Sequence, residues 1–337
     1  MKTSSEKIRI GVAGVGSMGQ NHVRVLSQIP ECDFVGIYDV DKFRARQICE
    51  LYNCQGFENL DQMLKKVDAI IIAAPTSFHG NLGQKCFDHD VHVLMEKPLA
   101  ANLFEAENLV RVSQRNDLIL MVGHIERYNP AVSLMIDKIA QNQEPLVSFE
   151  ARRLNPFDGS RCMDVDVLYD LLIHDIDLAL EIVGCEISDV WAIGKTVYSK
   201  LVDDAHTLIR FNNGASASFW TSKCSPRKIR EINVTTRSRF YHADTIARCL
   251  TIYTAKDLNP NKGGVCLMGD VVMEEISQPQ LEPLKLEIED FLRSITNNSS
   301  PITNGQRALD SLIILDKISQ SLNQQAGSQE IIEIKVS

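Results

Sequence analysis

Over its first third the chain alternates between two hydrophobic periods. Short apolar runs at Ile8–Val12, Phe34–Tyr38, Asp68–Ala74, Val91–Met95 and Leu118–Val122 predict strands. Between them apolar residues recur at helical spacing, as in Val23, Leu26 and Ile29, or Phe43, Ile48 and Leu51. Asn102 followed by Glu105 predicts a capped start for a helix over Leu103–Gln114. Such alternation predicts parallel strands with crossover helices, because parallel neighbours need a long connection. The unbroken run Ala69-Ile70-Ile71-Ile72 fits a central strand buried on both faces.

After Gly123 the pattern changes. A helix over Asn129–Gln141 leads to a strand, Val147–Arg153, and an irregular stretch, Leu154–Asp164, precedes a long helix, Val165–Val183. Strand-like runs follow at Val190–Val197, His206–Phe211, Ala215–Thr221, Arg230–Thr236 and Cys249–Tyr253. Asn212-Asn213-Gly214 predicts a hairpin turn, since these residue types tolerate positive φ. Helices over Lys285–Ile295 and Gly305–Asn323 and a short strand, Ile331–Ile334, close the chain. The expected architecture is α/β: a doubly wound parallel sheet in residues 1–123, then an α+β domain with a largely antiparallel sheet in residues 124–337.

Composition narrows the function. The 337 residues suit about two domains. With 35 Lys and Arg against 44 Asp and Glu the net charge is -9, which argues against nucleic-acid or anionic-membrane partners. The longest apolar run, Ala69 to Ala74, is far short of the roughly twenty residues a membrane span needs. Met1 to Lys7 carries no apolar signal-peptide core, and nine cysteines without a CxxC pair form neither a zinc nor a disulfide framework. A cytoplasmic protein is expected.

Gly14-Val15-Gly16-Ser17-Met18-Gly19 follows a strand and opens a helix. In that context the first glycine permits a tight turn, the second lets backbone approach a pyrophosphate, and the third lets helix and strand pack closely. Asp39 ends the second strand, where a carboxylate accepts ribose hydroxyls and repels a 2′-phosphate, so NAD is the expected cofactor. Arg44 and Arg46 nearby are the features that weigh toward NADP.

Two further groups carry chemistry. Glu96-Lys97-Pro98 ends the strand Val91–Met95, and ligands of open α/β sheets bind beyond the strands' carboxyl ends. Lys97 can donate to a substrate oxygen or shuttle its proton, with Glu96 holding it; the alternative is a surface ion pair before a turn. On the long helix, Asp170, His174 and Asp177 share one face at i, i+4 and i+7, in a segment otherwise rich in Leu, Ile and Val. His174 can act as a general base oriented by Asp170. A cation held by His174, Asp175 and Asp170 is a weaker alternative that lacks a second histidine cluster, so no metal is expected. Oxidation of an alcohol carbon by nicotinamide needs a proton acceptor and a group that stabilises the developing alkoxide. Lys97 and His174 can fill these roles in either order.

Together these motifs, with Ala74-Pro75-Thr76 and His79, resemble the Gfo/Idh/MocA oxidoreductases over nearly the whole chain. The resemblance implies a Rossmann domain, a second domain whose open sheet mediates homo-oligomers, and a cis Lys97–Pro98 bond. It implies that Lys97, Asp170 and His174 occupy catalytic positions, and that Pro75, Thr76, His79, Glu96 and Lys97 join the glycine turn around the cofactor. Cys162-Met163-Asp164-Val165-Asp166 stands where many members carry a glycine-rich run.

Gly123-His124-Ile125-Glu126-Arg127-Tyr128-Asn129-Pro130 is similar to the stretch in members that oxidise the 3-hydroxyl of UDP-N-acetylglucosamine, for transamination in lipid A or surface-polysaccharide synthesis. For that sugar-nucleotide substrate, Arg127, Arg152, Arg153 and Arg161 are the expected charged contacts, since arginine's planar fork suits a diphosphate. Tyr128 would stack on the base and Asn129 bond the sugar, beside Lys97 and His174; against this, Arg152 and Arg153 can be alternating strand residues with no ligand. His124 and His79 are equally compatible with packing. A dehydrogenase of a free polyol such as myo-inositol and a non-catalytic NAD-binding regulator are the alternatives.

Overall fold

A computed structural model describes residues 7–158, 165–255, 271–278 and 280–326. The expected strand Ile331–Ile334 and Arg161 lie outside the described residues. Contacts divide the chain into two units, Met1–Asn129 with Gln280–Leu312, and Pro130–Pro279 with Ile313–Ser337.

In the first unit β1 (Ile8–Ala13), α1 (Ser17–Leu26), β2 (Cys32–Tyr38), α2 (Lys42–Tyr52), β3 (Gln55–Gly56), α3 (Leu60–Leu64), β4 (Ala69–Ile72), α4 (His79–Phe87), β5 (His92–Met95), α5 (Leu103–Arg115) and β6 (Leu120–Val122) follow in sequence. The strands form a parallel sheet of order β3-β2-β1-β4-β5-β6. Its order reverses between β1 and β4, the place where doubly wound sheets bind ligands. All four residues of β4 are buried, as a strand covered on both faces requires. Asn102 caps α5 by accepting the Glu105 N–H at 2.9 Å and donating to its carboxylate at 3.0 Å.

The second unit opens with α6 (Pro130–Asn142) and β7 (Leu146–Leu154). A π-helical turn, Leu168–Leu172, then runs into α7 (Ile173–Val183). After these come β8 (Ile187–Lys195), β9 (Asp204–Phe211), β10 (Ser216–Ser222), β11 (Ile229–Thr236), β12 (Arg239–Asp244), β13 (Cys249–Ala255) and β14 (Val271–Ser277). The sheet has the order β14-β13-β12-β11-β7-β10-β9-β8. Its described pairs are antiparallel except β7 with β10. One face is covered: Ile173, Ile176 and Ala179 of α7 and Val132 and Met135 of α6 share a core with Phe149, Ile209, Phe219 and Val234. Along β9 the alternation is visible, with Ala205, Thr207, Ile209 and Phe211 buried and His206, Leu208 and Arg210 exposed.

Two expectations change. The boundary placed after residue 123 falls after Asn129, and the segment carrying α8 (Pro283–Asn297) returns to the first unit. The cause is the apolar stripe of α8: Leu284, Ile288, Phe291 and Leu292 are buried in one core with Val15, Val23 and Leu26. Sequence order alone assigned it to its neighbours. The last described helix, α9 (Gly305–Ala326), begins in one unit and ends in the other. Strands β12 and β14 escaped the sequence reading, β14 because it is exposed along almost its whole length and shows no alternation. Replacement of the fully buried Phe291 by Ala is expected to cost about 3–5 kcal/mol, seen as a lower midpoint in thermal or urea unfolding.

Candidate active site

The glycine turn is built by close packing. Gly14 has φ +87°, and a Cβ there would lie 2.8 Å from the Ala73 carbonyl and the Ala74 nitrogen. A Cβ on Gly19 would lie 1.9 Å from the Gly14 carbonyl oxygen, so only glycine lets α1 start this near β1. Around Gly16 a Cβ would meet no protein atom within 4 Å, which leaves the backbone open to a large anion. Ser17 and Met18 open α1, whose first N–H groups face the same direction as its positive dipole end. Asp39 is buried and accepts the Val15 N–H at 2.7 Å and the Asp41 N–H at 2.8 Å. A carboxylate has about four lone-pair sites, so two remain for a ribose. The Arg44 guanidinium stands 3.6 Å from Asp39 and is bonded to Asp41 at 3.1 Å.

Beyond β4, Pro75 precedes a 3-10 turn that begins at Thr76, and His79 opens α4. The two His79 ring nitrogens face the carbonyl oxygens of Pro98, at 2.8 Å, and Ala74, at 2.9 Å. His79 therefore ties the turn after β4 to the turn after β5. The Lys97–Pro98 bond is cis. From Val93 to Ala100 every residue is buried except Lys97, so this turn presents one side chain and hides its neighbours. Glu96 points inward and lies 2.8 Å from His22 Nε2 of α1. Burial works to raise the Glu96 carboxyl, but the His22 hydrogen bond and the His22 and Lys97 charges hold it below its ordinary value.

Arg127, Tyr128 and Asn129 are buried, as is His124. Tyr128 donates its hydroxyl to Asp290 of α8 at 2.7 Å. Burial, with Asp290 next, drives its pKa far up. Its ring is a core residue of the first unit and not a platform for a base, contrary to the sequence expectation.

In the second unit Asp166 caps the helical segment by accepting the N–H groups of Leu168 and Tyr169 at 3.0 and 3.1 Å. Asp170 lies on the π-helical turn and His174 in the first turn of α7, both half-buried, and Asp177 is buried. The i, i+4 step from Asp170 to His174 crosses from π to α geometry, so a regular helical stripe does not describe it. Single π turns recur at functional sites. Lys223, just after β10, was invisible to spacing arguments: its ammonium donates to the Val165 carbonyl at 2.9 Å and stands 3.2 Å from Asp170.

The arginines separate. Arg153 is buried with three contacts of 2.6–3.0 Å to Asp175 on α7, which also takes Asp175 away from any cation. Its neighbour Arg152 faces the other side of the sheet, where it pairs with Glu231 at 3.3 Å and lies over Trp220 at 5.4 Å. Strand alternation sends adjacent residues to opposite faces, so these two do not converge on one diphosphate. Among the described residues no cluster of three or more His, Cys, Asp or Glu could hold a metal ion, and no helix is long and apolar enough to cross a membrane.

A Rossmann sheet with this glycine turn and a buried acid after β2 defines an NAD-binding oxidoreductase. The sequence model of the oxidoreductase family with an NAD-binding Rossmann fold matches residues 8–124, and that of the Gfo/Idh/MocA C-terminal domain matches residues 147–239. The chain belongs to the Gfo/Idh/MocA family. It is 32% identical over 298 residues to the UDP-N-acetylglucosamine 3-dehydrogenase of Acidithiobacillus ferrooxidans, covering 88% of this chain and 92% of that one. With the myo-inositol 2-dehydrogenase of Thermotoga maritima it shares 24% identity over 322 residues, 91% and 94% of the two chains. A solved structure of the A. ferrooxidans enzyme superposes with a TM-score of 0.85 at 29% identity, over 95% of this chain and 99% of that one. Levoglucosan dehydrogenase with NADH and levoglucosan, at 19% identity and a TM-score of 0.84 over 95% and 98% of the chains, shares the fold.

Asp39→Ala is expected to weaken NAD binding by about tenfold to a hundredfold, the worth of one or two charge-assisted hydrogen bonds, in calorimetric titration with NAD.

Proposed function

We propose that the chain oxidises the 3-hydroxyl of UDP-N-acetylglucosamine to a ketone. The observation that carries this reading is Lys97, the one side chain presented by an otherwise buried turn at the carboxyl end of β5. The substrate is supported by the similarity to the A. ferrooxidans enzyme along nearly the full length of both chains. Bound NAD supplies the hydride acceptor. The candidates among the chain's own residues for taking the hydroxyl proton and stabilising the developing negative charge are Lys97 in the first unit and His174 in the second, where Lys223 balances the charge of Asp170. The glycine turn and Asp39 hold the dinucleotide. Of the four arginines first considered for the diphosphate, Arg127 and Arg161 remain. A 3-keto nucleotide sugar is what a transaminase consumes, which fits synthesis of lipid A or surface-polysaccharide precursors in the cytoplasm.

A free polyol is the second reading, favoured by the T. maritima relative and by the engagement of Arg152 and Arg153 within the sheet. The two separate when purified protein and NAD are mixed with UDP-N-acetylglucosamine or with myo-inositol, a carbonyl trap drawing the ketone forward. NADH absorbance is expected with the nucleotide sugar alone; a signal with the polyol alone would overturn the reading. Lys97→Ala should lower turnover by about 10²–10⁴-fold while NAD affinity falls far less.

The sheet face of the second unit that no described helix covers supports a homo-oligomer. Trp191, Ile193 and Leu208 are exposed there beside His206, Trp220 and Arg152. An apolar patch of this kind suits a self-complementary contact. Ile193→Lys is expected to shift sedimentation from the oligomer to the monomer.

A further inference from the structure

At one end of the second unit's sheet the carboxyl ends of the parallel strands β7 and β10 meet the starts of β9 and β11. Three connections gather there: the chain after Leu154, residues 196–203 between β8 and β9, and residues 223–228 between β10 and β11. Lys223 opens the last of these and faces Asp170 at 3.2 Å, four residues before His174. The connections thus border the candidate catalytic residues of this unit.

Hydrogen bonds fix the three to one another. The Asn155 N–H donates to the Ser222 carbonyl at 2.8 Å, and the Asn155 carbonyl accepts the Ser225 N–H at 3.1 Å. The Arg230 guanidinium donates to the Leu154 carbonyl at 3.2 Å and to the Asn155 side-chain oxygen at 2.9 Å. Buried Asp203 accepts the N–H groups of Val197, Tyr198 and Ser199 at 2.8, 2.8 and 2.9 Å. Its own carbonyl accepts the Lys223 N–H at 2.7 Å. Loop residues placed by such a scaffold are suited to recognition.

Two of the connections meet through aromatic side chains. The rings of Phe157 and Tyr198 stand 4.7 Å apart and tilted by 43°, yet these residues are 37% and 56% exposed. A pair that only stapled two loops would gain by burying its rings, whereas this one leaves π surface to solvent. On the third connection Arg227 is exposed. Its backbone is held by Ser225, whose hydroxyl donates to the Arg227 carbonyl at 2.8 Å and accepts the Arg227 N–H at 3.3 Å. Of the acids here, Asp203 is taken by loop amides, Asp166 by the helix cap and Asp170 by Lys223. Open aromatic faces stack flat bases, and a guanidinium binds phosphate oxygens in pairs. A nucleoside diphosphate offers both.

We propose that Phe157, Tyr198 and Arg227 form the nucleotide end of the substrate site. The base lies on the two rings and Arg227 takes the diphosphate, which directs the sugar toward Lys223, Asp170 and His174. This rests on the nucleotide-sugar reading and gives it contacts that Arg152 and Arg153, engaged within the sheet, do not supply.

Calorimetric titration of the full chain with UDP tests the site without turnover. Phe157→Ala and Tyr198→Ala should each weaken UDP binding by about fivefold to a hundredfold, the worth of stacking one base. Arg227→Ala should weaken it by about tenfold or more and flatten its salt dependence. Tyr198→Phe keeps the ring and should bind UDP as wild type does, and in all four variants NAD affinity and the thermal midpoint should stay near wild type. UDP affinity unchanged in the alanine variants, or lost only together with thermal stability, would overturn the proposal, as would a wild type that does not bind UDP. Oxidation of UDP-N-acetylglucosamine by wild type and the alanine variants with equal kcat/KM would remove this subsite and leave the nucleotide-sugar reading intact. UDP binding that depends on these residues, without oxidation of that sugar nucleotide, would uphold the subsite and overturn the reaction.

Discussion

At the carboxyl ends of β1 and β4 two stretches of backbone lie closer than any side chain between them would allow. Gly14, at positive φ, meets the Ala73–Ala74 peptide where a Cβ would be at 2.8 Å, and Gly19 meets Gly14 itself. Because the turn is pressed into the sheet, α1 starts against β1, the Val15 N–H reaches Asp39, and His22 on the next turn of α1 reaches Glu96. The cofactor fingerprint and the support under Lys97 are thus consequences of one close packing. A side chain at either glycine would move all of them together.

The second unit is governed by the two-residue period of its strands. Helices cover one face of the sheet, so every other residue is committed to a core with α6 and α7, and its neighbours face the open side. Arg153 falls on the covered face and is consumed by Asp175, holding α7 against β7. Arg152 falls on the open face among Trp220, His206 and Glu231. The same alternation brings Lys223, at the end of β10, to the start of the helical segment, where it faces Asp170.

The buried acids of the first unit differ in how far their bonding is satisfied. Tyr128, Asp290 and the Ile302 N–H form a satisfied network, and such networks stabilise a core. Glu287, one helical turn before, is the opposite: it is fully buried with no hydrogen-bond partner among the described residues, and burial pushes its pKa well up.

Local pattern was enough to determine the parallel sheet, the glycine turn, Asp39, the capped start of α5, the hairpin after β9 and the conspicuous Lys97. Each depends on contacts between residues close in sequence or on a period of two or 3.6 residues, which composition along the chain records directly. Spacing on the long helix singled out Asp170 and His174, and the family resemblance added the expectation that they are catalytic. Only the tertiary structure decided that α8 returns to the first unit, that Tyr128 is a core residue, that His79 bridges two turns, and that Lys223 stands beside Asp170. His22 and Glu96 are 74 residues apart and Tyr128 and Asp290 162. Such partners leave no periodic trace in the sequence, because they are chosen by which helix packs on which strand end.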